Sequence, residues 1–386
     1  MRLSVIAGGL VLLAACQPSA PAPENAESAT AAPSAAAREI ALVANAEGAT
    51  VSLLDVVKRE IVGTIDVNPD KVVVQRPGTP NYAQDTDVSP DGRTLYVARG
   101  YMGDVAAFDI ASGKPLWVRK LDTGRADHMT LTPDGKWLFV SVMFDNQVEK
   151  IDAATGEGKG RFAAGVYPHD NQISKDGKSV YNTSLGPLGT LPAGTEPKVK
   201  PANPMQFTIA DLETLEVKSS IVMPFGIRPW HMNADETAFY AQVSNVHGVA
   251  SFDFPSGKET KRLDLPVKDG ATEKDWDFEA PHHGLDITRD GSTLCLAGRA
   301  SDYVALVKAP ELELIATIPV DDAPGWATIA QRDGTCIVPS TRADTISIIS
   351  LAERKEVTRI KSGDGPKHVT IAMLPTDVID AAAARK

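Results

Sequence analysis

Six of the seven histidines in this 386-residue chain stand at, or just before, segments that read as the opening of a β-strand. They are His128, His169, His231, His282, His283 and His368; the seventh, His247, belongs to the loop-like run Ser244-Asn245-Val246-His247-Gly248. The histidine content is ordinary, so position rather than abundance carries the signal. Neutral imidazole is the commonest protein ligand for copper, zinc or iron, and imidazoles supplied by separate elements can converge on one ion. Asp85, Asp127 and Asp170 lie beside these positions, as further ligands or as acceptors for the second ring nitrogen. Without a metal, His169 and His231, helped by Asp170, have the right groups for general acid and base work.

Cations accompany the imidazoles. Arg99, Arg299 and Arg342 fall eight or nine residues after an Asp-Gly turn, and Arg125 and Arg228 lie just before first strands. Guanidinium forks in such a setting favour a carboxylate, phosphate or sulfate, so a small anionic substrate or ligand is expected. Tyr101, Trp230, Tyr303 and Trp326 are placed to wall the pocket. For any one arginine the plainer reading is an ion pair with a neighbouring aspartate.

A fixed period must position these residues. The unit runs through 86–98 as a strand, Ser89-Pro90-Asp91-Gly92, and a second strand, followed by two more strands separated by turns. The turn aspartate recurs at Asp91, Asp134, Asp176, Asp290 and Asp333, with Asp235 in a degenerate copy, at steps of 43, 42, 59, 55 and 43 residues. That makes six units. A seventh is split: three strands at 40–65 have no turn before them, and one strand at 367–373 has no partner after it. The expected fold is all-β, a seven-bladed propeller of four-stranded blades over 39–374, its ring closed by pairing the two ends, with a short polar tail at 375–386.

Ser-Pro-Asp-Gly-Arg-Thr-Leu-Tyr-Val at 89–97, followed by the Asp-x-x-Ser-Gly-Lys turn at 109–114, resembles the YVTN repeat of bacterial propellers, including the YncE-like proteins. The resemblance implies the propeller fold and leaves function open, since relatives include hydrolases, adhesion modules and a haem domain. It also implies a structural alternative for the histidines, because that repeat often has Pro-His at the strand start, as in Tyr167-Pro168-His169-Asp170. Gln84 and Trp326 take that place in two other units, so the repeat does not demand histidine.

In such a ring all seven histidines map to one mouth of the central channel. Two insertions, 186–205 and 268–281, emerge on the same face and are expected to form a partial cover. The mature cysteines, Cys295 and Cys336, lie five and three residues after their turn aspartates. Strand alternation then turns both to the same side of their own sheets, which predicts buried free thiols rather than a disulfide.

The amino end reads as an address. A short apolar run at 3–15 after Arg2 has the form of a secretory signal. Leu13-Ala14-Ala15-Cys16 resembles a bacterial lipobox, which implies lipidation of Cys16 and membrane attachment. An Ala/Pro/Ser-rich tether then covers 16–38. Gln17 is not the aspartate that retains lipoproteins at the inner membrane, so the expected location is the outer membrane, facing the periplasm or the cell surface.

Thirty-nine basic against 50 acidic residues give a net charge of −11, which argues against nucleic-acid binding. Neither a phosphate loop nor a dinucleotide fingerprint is present, so no nucleotide cofactor is expected. Two classes of function remain: a metal-dependent hydrolase, lyase or oxidoreductase acting on a small anion, or a non-catalytic module that binds a ligand, a metal or a protein partner on the covered face.

Overall fold

Seven antiparallel sheets of four strands each stand around a common axis in the computed structural model, which describes residues 37–74, 80–122, 124–188, 199–201 and 203–385. The leader, Cys16 and the tether up to residue 36 lie outside the described residues. The turn chemistry of the repeat explains the local folding. Gly92, Gly135, Gly177, Gly291 and Gly334 all adopt φ near +70°, the left-handed region that favours glycine. In four of these turns the aspartate accepts a hydrogen bond from a Ser or Thr hydroxyl two residues back, as Asp134 does from Thr132 at 2.6 Å. It also accepts a backbone N–H two residues on, as from Lys136 at 3.1 Å.

Each blade then supplies two apolar faces, and seven hydrophobic clusters fill the seven gaps between neighbouring blades. Burial on both faces explains why the inner strands read as near-continuous apolar runs. Between the fourth and fifth blades the filling is aromatic, with Phe207 against Trp230 at 4.9 Å and Phe239 stacked on Phe252.

Ring closure follows the expected pattern. Pro366–Pro375 is the innermost strand of the first blade and pairs antiparallel with Ala37–Asn45, from Ala37 opposite Pro375 to Asn45 opposite Pro366. The carboxy-terminal tail departs from expectation. It forms a helix, Thr376–Ala383, whose Val378, Ile379 and Ala382 are buried against Leu53 and Val62 of the same blade. Gly63 admits this helix, since a Cβ there would lie 3.4 Å from Ala382.

The cysteine expectation is overturned: Cys295 and Cys336 form a disulfide, with a Cα–Cα distance of 6.6 Å, inside the cluster joining the sixth and seventh blades. The reason is a phase shift in the landmark. Ile287 pairs with Leu294 and Ile329 with Cys336, each seven residues on. The turn aspartate, however, follows Ile287 by three residues and Ile329 by four. Counting from the aspartates therefore misplaces one cysteine by one residue, and one residue reverses a strand's face. Cys336 is equivalent to Leu294, which faces backward, while Cys295 faces forward, so both enter the shared interface.

Candidate metal centre in the central channel

The first strand of each blade lines the channel, and its opening carries a β-bulge in four blades. A bulge re-aims the chain, so consecutive residues turn toward the axis together. That places Asp127 with His128, His169 with Asp170, and Lys367 with His368. Strand pairing then defines rings of equivalent residues. The rim ring is Gln84, Asp127, His169, Arg228, His283, Gly325 and Lys367. The second ring is Asp85, His128, Asp170, Pro229, Gly284, Trp326 and His368. Two residues further along comes an inner ring of Asp87, Thr130, Gln172, His231, Asp286, Thr328 and Thr370.

Four histidines meet across the first two rings. His128, His169 and His283 each offer a ring nitrogen, all three within 4.8 Å of one another, and Asp85, His128 and His368 make a second such group. The Nε2 atoms of His169 and His283 lie 3.4 Å apart. Two nitrogens bound to one tetrahedral ion at about 2.05 Å would be separated by about 3.3 Å. His283 Nδ1 donates to the Gly325 carbonyl at 3.0 Å, which leaves its Nε2 as a lone pair. His128 Nδ1 faces Asp85 at 3.2 Å, and Asp85 also lies 2.8 Å from His368 Nδ1. A backbone carbonyl or carboxylate behind the ring is the usual support of a metal-binding imidazole. Among the described residues His169 Nδ1 is buried without a partner. The donor set thus fits a late first-row divalent ion. Trp326 stacks on His128 at 4.9 Å and contacts His368 at 4.2 Å, fixing both planes.

Electrostatics keep most of these rings neutral. Burial pulls His169 and His283 well below the usual imidazole range, assisted by His128, Arg228 and Lys367. His368 is lowered, again by burial. Burial also acts to lower His128, but Asp85 and the charges of Asp127 and Asp170 outweigh it and raise the group. Gln84 settles its tautomer: the amide oxygen accepts from Asn81 and from Lys367 Nζ, so the amide nitrogen donates to His128 Nε2 at 3.2 Å and the ring proton sits on Nδ1. Desolvation raises Asp170 to about 7, poising it to exchange a proton near neutrality.

The other expected ligands go elsewhere. His282 turns away from the axis, 3.2 Å from His247 Nδ1 and 3.3 Å from the Tyr303 hydroxyl. That hydroxyl donates to Pro266 O, so it accepts from His282 Nε2, and among the described residues His282 Nδ1 is left buried without a partner. His247 Nε2 lies 2.8 Å from Ser301 Oγ. His231 lies deeper, in the inner ring, its Nδ1 bonded to Met232 O and its Nε2 3.6 Å from Asp286. The seven histidines therefore divide into a group of four, a pair and a single ring. Sequence placed six of them at or near first-strand starts, but the expectation that all seven share one mouth fails for His231, which lies two residues deeper, and the bulges that sort the rest could not be registered.

The arginines divide likewise. Arg99 is buried and holds Asp104 through two nitrogens, with a third bond to Val67 O. Arg125 pairs with Asp127 and covers Tyr101. Arg299 and Arg342 both bond Asp277 Oδ2, at 3.0 and 2.7 Å, pinning the 268–281 insertion over the histidine face. Arg228 bonds Ser244 Oγ and the Phe278 carbonyl, also of that insertion. Trp230 is buried in the aromatic core and also contributes to the lining of the channel cavity. Lys367, half-buried in the rim ring, was not singled out from sequence.

A cavity of about 470 Å³ fills the channel beneath the histidines, lined by the second and inner rings, including Asp85, Asp170, His231, Trp326 and His368. The rim-ring residues Gln84, Asp127, His169, Arg228 and His283 are buried, whereas the inner ring is half-buried, so the wetter approach is from the turn face.

No protein-family model matches the sequence, and no curated protein does. Among solved structures the chain is similar to Kuenenia stuttgartiensis hydrazine synthase, with a TM-score of 0.62 and 16% identity over 79% of this chain and 90% of that one, a likeness of fold alone.

Proposed function

We propose that the channel of this propeller holds a transition-metal ion on His128, His169 and His283, backed by Asp85 and His368, and that the protein is a metal-dependent enzyme acting on a small anion. The observation that carries the reading is the 3.4 Å approach of the His169 and His283 Nε2 atoms beside His128, with supports already in place behind two of the three rings. A bound copper, zinc or iron ion would supply Lewis-acid or redox power at this point. The chain's own part is to hold the imidazoles neutral, to keep Trp326 against them, and to offer Asp170 as a proton-exchanging group on the cavity wall. The Gln84 amide, now on His128 Nε2, must yield that position to the ion.

The Gln84 contact also favours a second reading, a metal-free site in which Asp85 and His128 bind or shuttle a proton for a small ligand. Metal analysis of untagged protein separates the two. One ion per chain, lost in the His169→Ala/His283→Ala variant, supports the metal reading; metal-free wild type that resists reconstitution with zinc, copper or iron defeats it. As to place, the Cys295–Cys336 disulfide supports an oxidising compartment. We take the protein to be a lipoprotein attached through Cys16 at the outer membrane.

A further inference from the structure

The cations around the histidine face are not alike when their counter-charges are assigned. Arg99 has Asp104, Arg125 has Asp127, and Arg299 and Arg342 share Asp277. Arg228 and Lys367 differ. Among the described residues neither has a carboxylate in contact: Arg228, 3% exposed, reaches Ser244 Oγ and Phe278 O, and Lys367 reaches Gln84 Oε1 at 2.7 Å. Both belong to the rim ring that contains His169 and His283, and the charge of each is felt at both of those imidazoles. A buried guanidinium without an anion is costly, and its cost falls when one arrives.

We propose that Arg228 and Lys367 form an oxyanion subsite against the His169–His283 pair, the place where a compact carboxylate or inorganic oxyanion is gripped. The subsite deepens the reading of the channel as a site for anion chemistry, yet it needs no metal to bind. Arg228 presents a planar fork, and Lys367, which burial pulls down to about 7, is an amine whose charged form an arriving anion would favour. The Phe278 carbonyl on Arg228 ties the 268–281 insertion to the same guanidinium, so occupancy of the subsite and the seating of that cover are linked.

Sulfate tests this directly, because its charge is constant across neutral pH. Isothermal titration of sulfate into wild-type protein, as purified and after chelator treatment, is expected to show one site per chain in both cases. Arg228→Met and Lys367→Met should each weaken it at least tenfold, the loss of one charge-assisted contact. Lys367→Arg should restore most of it, and Lys136→Met, which removes an exposed turn-face cation, should leave it within twofold. Absence of sulfate binding in the wild type overturns the proposal, as does equal weakening by Lys136→Met. Should Arg228→Met fail to fold, the lysine variants decide. Sulfate binding without metal would leave the subsite standing and remove the metal reading; metal without sulfate would do the reverse.

Discussion

Breaking the Cys295–Cys336 bond removes a covalent tie across the interface of the sixth and seventh blades. The two cysteines are 41 residues apart, so the bond closes a loop of that size in the unfolded chain. The chain-entropy relation, with n near 42, gives about 4 kcal/mol at 25 °C. With an unfolding entropy of about 2.1 cal/mol/K per residue over roughly 340 cooperative residues, that corresponds to a loss of about 5–6 °C in Tm. The comparison is oxidised protein against protein unfolded, reduced and refolded with its thiols kept reduced, which leaves the core atoms in place; a Cys295→Ala/Cys336→Ala variant would add a packing loss. Scanning calorimetry and urea titration read the difference. The number of thiols titrated in denaturant should rise by two on reduction. An unchanged thiol count, or reduced protein that melts with the oxidised form, would refute both the bond and the phase argument that accounts for it.

Asp104 is fully buried and holds Arg99, also buried, so Asp104→Ala should cost about 3–5 kcal/mol in urea denaturation by stranding the guanidinium; a loss under 1 kcal/mol would show that water reaches it. His282 is held well below its usual pKa by burial, so the unfolded chain takes up its proton first and stability is lost as pH falls below about 6.5. His282→Leu should therefore remove about 1 kcal/mol of the wild type's acid sensitivity between about pH 7 and 5.5. The same variant should keep its metal content, whereas His283→Leu should not, because adjacent side chains serve different groups.

The fold was legible because its signals are local and repeated: the Ser/Thr-x-Asp-Gly turn is closed by its own side chains, and the split unit announces ring closure. The site was legible only in part. Strand starts placed His128, His169, His283 and His368 near the axis, but a one-residue bulge decides whether a neighbour such as Asp127 or Lys367 joins them. His282 and His283 are indistinguishable by spacing and diverge through tertiary contacts. Arg299 and Arg342 looked like ligand-binding residues in register; their register is real, but the anion they hold is Asp277 of this chain. The helix at Thr376–Ala383 escaped notice because its apolar stripe is only three residues.

Mechanical strength follows from where the chain enters the ring. Ala37–Asn45 is flanked by a hydrogen-bonded neighbour on each edge, Pro366–Pro375 and Thr50–Asp55. A pull applied at Ala37 along the strand must shear both ladders at once instead of unzipping one bond after another. A chain tugged from its amino end would therefore resist as a rivet does, and would yield last where a simple hairpin terminus yields first.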